Sequence, residues 1–185
     1  MEADTLANKR SLSTEKNIEK ALFKLMQENS FADISITDLS QVAGVSRMAF
    51  YRHYKTKEDI LNGYLKRQYD KFIEDIDEHR FNQLDQFLQI YFKYFKEHDY
   101  FLRAITKAGI EGIMLRKQTE YFVNFFKVKL PNMLPSYSDM VFYSGAIFSV
   151  LIYWADSGYK QPRKKIAKML AVKIENDVNS NNMLR

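Results

Sequence analysis

Arg47, Arg52, Lys55 and Lys57 stand within eleven residues that hold no acid, with Phe50, Tyr51 and Tyr54 among them. The nearest carboxylates are Asp38 before and Glu58 after. Guanidinium and ammonium groups at this density suit a polyanion: they neutralise phosphates, and an arginine can pair with a guanine edge. At about 100° per residue, Arg47, Met48, Tyr51 and Arg52 fill one arc of about 140°, and Phe50 and Tyr54 lie on another side. Phe50 is therefore expected in the core, beneath a short helix whose other flank is cationic. A helix of eight residues is about 12 Å long, which suits the width of the B-DNA major groove. Arg47, at its start, is placed for a base edge. Tyr51, His53 and Lys57 are placed to hold the phosphate backbone in register.

Such a helix must be held by its neighbours. Ser35 and Asp38 form a capping box, with Asp for the usual Glu, ahead of Ile36, Leu39 and Ala43, which share one face. Gly44 ends that helix and Ser46 caps the next. Helix, glycine turn, helix is a helix-turn-helix, with its recognition helix over about 47–54. Upstream, residues 14–29 place Ile18, Ala21, Leu22 and Leu25 at helical spacing. Ser13 or Thr14 is the expected cap, and Asn29-Ser30 the expected end, through a left-handed Asn. Downstream, Thr56 caps a fourth helix, Glu58 and Asp59 suit its dipole, and apolar positions carry it through Ile76. Further helices are expected near 83–97, 99–107, 110–129, 138–156 and 162–173, punctuated by Gly109, Gly112, Pro131, Pro135 and Gly158. The polar end from 176 is expected to fray.

Composition agrees with an all-α fold of about nine helices. Six Gly and three Pro in 185 residues are too few for a turn-rich β-fold. The net charge is +5, but both halves are mildly basic: residues 1–67 hold 11 Lys+Arg against 9 Asp+Glu, the rest 17 against 14. The sharp asymmetry is the short stretch itself, as a docking surface requires. The absence of cysteine excludes disulfides, thiolate catalysis and zinc–sulfur sites. His53, His79 and His98 lack zinc-ligand spacing, and there is no glycine-rich phosphate loop, so neither an enzyme nor a cofactor is expected. The polar N-terminus does not read as a signal peptide. Residues 140–155, uncharged but shorter than the roughly 20 residues of a membrane span, read as a buried helix. The cytoplasm is the expected location.

The stretch "ITDLSQVAGVSRMAFYRHYKTKEDIL" resembles the DNA-binding signature of the TetR family of transcriptional repressors, through Ile36, Asp38, Leu39, Gly44-Val45-Ser46, Tyr51, Tyr54, Thr56-Lys57-Glu58 and Ile60. The first helix, from Ile18 through Phe31, matches as well. The resemblance implies a helix-turn-helix domain over 1–56. A long fourth helix joins it to a ligand-binding and dimerisation bundle over 57–175, with 176–185 a tail. It implies that Arg47, Met48 and Ala49 read bases, and that Tyr51, His53 and Lys57 contact phosphates. Arg52 serves either role, Thr37 touches the backbone, and Ser46 lies at the same interface. Met48 departs from the small residue the family usually has there. It offers either a contact to a thymine methyl or a bulk that pushes the helix outward.

The larger half is aromatic, with Tyr91, Phe92, Tyr94, Phe95, Tyr100 and Phe101 in one cluster and Tyr121, Phe122, Phe125 and Phe126 in another. Taken alone these are core residues. The resemblance implies instead a cavity for a small hydrophobic or aromatic effector, with Tyr91, Phe95, His98, Arg103, Arg116, Tyr121 and Phe125 as its candidate wall. It also implies a homodimer through helices near 138–156 and 162–173, reading a palindromic operator on double-stranded DNA. The implied function is a repressor released by that effector. The alternative is a TetR-like adaptor or coactivator controlled by a protein partner.

Overall fold

The computed structural model describes residues 2–79, 83–129 and 136–183. Pro131 and Pro135, expected to break the chain between helices, lie outside them. The described residues form helices and connecting turns, with no strand. In chain order the helices are α1 (Glu2–Leu25), α2 (Ile36–Ala43), α3 (Arg47–His53), α4 (Lys57–His79), α5 (Leu84–Glu97), α6 (Asp99–Lys107), α7 (Glu111–Lys129), α8 (Tyr137–Asp156) and α9 (Arg163–Met183). They divide into two compact units. The first holds residues 1–67 and 103–111, the second 68–102 and 112–185. Along the chain, α4 and α6 each contribute residues to both.

In the first unit, Ile18, Leu22 and Met26 form a fully buried stripe with Leu39 of α2, Phe50 of α3 and Ile60, Leu61 and Leu65 of α4. The α1 helix starts earlier than expected, so Ser13 and Thr14 lie inside it rather than capping it. Residues 2–13 contain no Gly or Pro, and extending an existing helix costs far less than nucleating one. Its end is also different in kind. Asn29 adopts no left-handed conformation; its side-chain amide donates to the Leu25 carbonyl at 3.0 Å. Beyond α2, Gly44 does take the left-handed conformation, at φ 67°. There it lets Val45 N–H reach the Ser40 carbonyl at 3.0 Å.

In the second unit, α5 packs on α9, and the core is largely aromatic. Tyr69, Phe72, Phe87, Tyr91, Phe92, Phe95 and Trp154 are all buried. Helix α8 has the length and apolarity of a membrane span. It is nevertheless fastened as a core helix. Its Met140, Tyr143, Ile147, Leu151 and Trp154 side is buried, Tyr143 donates to Asp177 at 2.6 Å, and Trp154 Nε1 donates to the Gln161 carbonyl at 2.9 Å. The α8–α9 turn has Gly158 at φ 70° followed by Tyr159 at φ 58°. A left-handed Tyr is held there by its N–H on the Trp154 carbonyl and by its ring, which lies perpendicular to that of Trp154 with the ring centres 4.8 Å apart. Where the sequence suggests fraying from 176, α9 stays helical to Met183.

Candidate nucleic-acid interface

Two serines fix the helix-turn-helix. Ser35 Oγ accepts from Asp38 N–H at 3.1 Å and donates to the Asp38 carboxylate at 2.5 Å. Ser46 Oγ accepts from Ala49 N–H at 3.1 Å and so starts α3 at Arg47. Helix α3 ends one residue sooner than expected, because Tyr54 is extended at φ −139°. Thr56 and Asp59 then cap α4 reciprocally: Thr56 Oγ1 accepts from Asp59 N–H at 3.2 Å, and Asp59 Oδ2 accepts from Thr56 N–H at 2.9 Å.

Phe50 is fully buried, with its ring 5.4 Å from Tyr51 and edge-on to it. That anchor turns the other flank of α3 outward. Arg47, Met48, Tyr51 and Arg52 are exposed, Ala49 is half-buried, and Thr37 and Ser46 are exposed alongside. Among the described residues, the side chains of Arg47, Arg52 and Lys55 form no ion pair. Seven of the sequence-derived candidates, counting Lys55, are thus exposed, and α3 itself carries no carboxylate.

Two candidates behave differently. His53 is turned toward α1, where its Nδ1 lies 3.1 Å from Glu15 Oε1. Its neighbour Tyr54 donates to Glu19 at 3.2 Å; burial, then the Glu19 charge, push that phenol well above its ordinary value. Glu19 also takes the Arg67 guanidinium of α4. This carboxylate pair on α1 therefore fastens the end of α3, a role the sequence did not reveal. Its only local signal is Glu15 and Glu19 at i, i+4 spacing.

The second is Lys57: expected on a phosphate, it is held within the fold here, its ammonium donating to the carbonyls of Phe31 at 2.5 Å, Ala32 at 3.0 Å and Ile34 at 2.8 Å. It also sits 4.8 Å from the Phe31 ring centre. An ammonium has three protons, and all three are engaged. Lys57 clamps the loop between α1 and α2, whose Phe31 N–H is held in turn by the Ala108 carbonyl at 3.1 Å.

The residues expected to wall an effector cavity divide. Tyr91, Phe95 and Phe125 are buried against other rings: Tyr91 lies 4.8 Å from Phe95, and Phe125 stacks 5.5 Å from Phe87. Tyr121 stacks on Tyr69 at 4.8 Å and bonds Asp70, and burial, then Asp70, raise its phenol to about 12. His98 Nδ1 is 2.8 Å from the Tyr94 carbonyl, an acceptor, so that nitrogen carries the proton. Arg116 is exposed on α7, and Arg103, also exposed, belongs to the first unit. The buried polar centre of the second unit is one the sequence reading missed. Tyr91 Oη donates to Gln118 Oε1 at 2.5 Å, Gln118 Nε2 donates to the Ser144 carbonyl at 2.9 Å and to its Oγ at 3.1 Å, and Ser144 Oγ lies 2.8 Å from Thr119 Oγ1. Gln118-Thr119 on α7 and a serine inside apolar α8 were the available signals.

Comparison with known proteins points the same way as this geometry. A sequence model described as "Bacterial regulatory proteins, tetR family" matches residues 18–64, from the buried stripe of α1 through the start of α4. The chain is 28% identical over 134 residues to the HTH-type dhaKLM operon transcriptional activator DhaS of Lactococcus lactis, a match covering 72% of this chain and 65% of that protein. It is 32% identical over 93 residues to the HTH-type transcriptional regulator EthR of Mycobacterium tuberculosis, covering 46% of this chain and 41% of EthR. The matches thus span less than two thirds of either relative. A TetR transcriptional regulator from Streptococcus agalactiae shares the fold, at TM-score 0.72 and 17% identity over 92% of this chain and 98% of that one. These relatives are regulators, and over residues 18–64, which carry the helix-turn-helix, this chain is similar to the TetR family of bacterial regulatory proteins.

Proposed function

We propose that this chain regulates transcription as a homodimer bound to a palindromic DNA operator. The observation that carries this reading is α3, where Phe50 is fully buried while Arg47, Met48, Tyr51 and Arg52 stand open on the opposite flank. Arg47 and Met48 address base edges, with Ala49 beside them, and Tyr51, Arg52, Thr37 and Ser46 address the phosphates. Pairing of two copies is supported by the apolar side chains left exposed on α8 (Tyr137, Val141, Phe142 and Tyr153) and on α9 (Met169 and Val172). A two-fold dimer carries one recognition helix per half-site. The head is assigned to 1–56 and the control and pairing region to 57–175, in the cytoplasm.

The finer reading is repression released by a small hydrophobic or aromatic effector in the second unit, supported by its aromatic composition and its buried polar centre. An effector that prefers one state of that unit shifts the population by its differential affinity, typically about 1–3 kcal/mol. Helix α4, with residues in both units, is one covalent route between them. Control by a protein partner is the second reading. It is favoured by the mutual packing of Tyr91, Phe95 and Phe125, which leaves those rings engaged with each other.

Selection of bound sequences from random DNA by the purified chain tests the proposal. A two-fold symmetric site is expected, and Arg47→Ala should relax preference at one position per half-site, by about 1–3 kcal/mol. Failure to enrich any sequence at low salt would end it.

A further inference from the structure

Met48 is the most exposed large hydrophobic side chain among the described residues, at 78%. It is the second residue of α3, and it shares a flank with Tyr51 at i+3 and Arg52 at i+4. Nothing in the fold needs an apolar group there: Phe50 alone of α3 is buried, and Ser46 already caps the helix. Lysine, glutamine or glutamate would propagate a helix as well and stay hydrated. A thioether instead presents to the medium a chain of methylenes with no donor.

The major groove offers such a side chain few partners. Every base edge there shows donors or acceptors, and thymine alone adds an apolar group, its 5-methyl. Methionine set against a guanine or cytosine edge would strip water from polar atoms and return no hydrogen bond. Against thymine it buries methyl on methyl. With Arg47 beside it and no acid on α3, the flank combines charge for the backbone with one apolar probe for the bases. We infer that Met48 is a specificity-determining residue that selects a thymine in each half-site by contact with the 5-methyl group. This inference rests on the DNA-binding reading above.

The test uses the full chain and the site recovered by selection. Each thymine is replaced in turn by deoxyuridine in both half-sites, which removes only the methyl. One position is expected to lose about four-fold in affinity per half-site, the worth of one buried methyl, and so roughly 15-fold for the pair. Met48→Ala, which keeps the helix but cannot reach, should cut that penalty to under about two-fold, and Met48→Leu should keep most of it. The salt dependence of binding should be the same in all three proteins, because no charge changes. Three results would overturn the inference: no thymine in the selected half-site responding to methyl loss, an equal penalty in Met48→Ala, or Met48→Ala binding every sequence more tightly. The last would mean that the side chain holds the helix away from the groove. If a site is selected and the uracil effect is missing, only this inference fails; if no site is selected, the proposed function fails with it.

Discussion

Replacing Lys57 by Met separates a clamp from a phosphate ligand, because it keeps the length of the stem and removes only the ammonium. The lysine gives three hydrogen bonds to the carbonyls of Phe31, Ala32 and Ile34. A net hydrogen bond with a charged partner contributes about 1.5–3 kcal/mol. The Ala32 carbonyl is exposed, so water replaces the lysine there at little cost. The Phe31 and Ile34 bonds are partly buried, which sets the loss near the low end of the range for each. Its position over the Phe31 ring adds about 0.5–1 kcal/mol. Lys57→Met should therefore destabilise the fold by about 2–4 kcal/mol. In a urea titration followed by helix content, the midpoint should fall by about 1 M or more with the slope unchanged. Operator affinity would weaken as the α1–α2 loop loosens, yet the dependence of log affinity on log salt should keep its slope, since no phosphate contact is lost. A phosphate ligand behaves in the opposite way: its removal leaves the midpoint in place and makes the slope shallower by about 0.9. That second pattern would refute the clamp.

Burial raises the phenols of Tyr69 and Tyr91 well above their ordinary value, and burial followed by Asp70 raises that of Tyr121 to about 12. The folded state therefore holds these protons more tightly than the unfolded state. The stability this confers is complete below about pH 10 and is lost as pH rises through the folded values. Denaturant midpoints should fall steadily above pH 10; midpoints that stay constant as pH rises through that range would contradict this. Ser144→Ala removes the hydroxyl shared by Gln118 and Thr119, and should cost about 1–3 kcal/mol in a thermal or urea melt. Phe142→Glu puts a charge on the exposed apolar face of α8. It should convert dimer to monomer in sedimentation while the helix content stays constant.

Much of the candidate DNA-binding surface is legible in the chain because its determinants are local. Caps at Ser35, Ser46 and Thr56 act within three residues, the stop at Gly44 acts within one turn, and the 3.6-residue period alone sends Phe50 inward and Arg47, Met48 and Tyr51 outward. The same local grammar gave helix boundaries within about a turn for α2 to α8. It misjudged the start of α1, where no residue forbids helix, and the tail of α9, where polar composition imitates disorder.

The sequence by itself determined the helices, the inward and outward sides of α3 and the concentration of positive charge there, since each follows from neighbours a few residues apart. Only the tertiary structure decided which polar groups remain free. Lys57 meets carbonyls 23 to 26 positions away, His53 meets Glu15 38 positions away, and the Tyr91–Gln118–Ser144 chain joins three helices. A cation's availability depends on which acceptors the packed chain brings within about 3 Å of it, and no spacing along the sequence carries that distance.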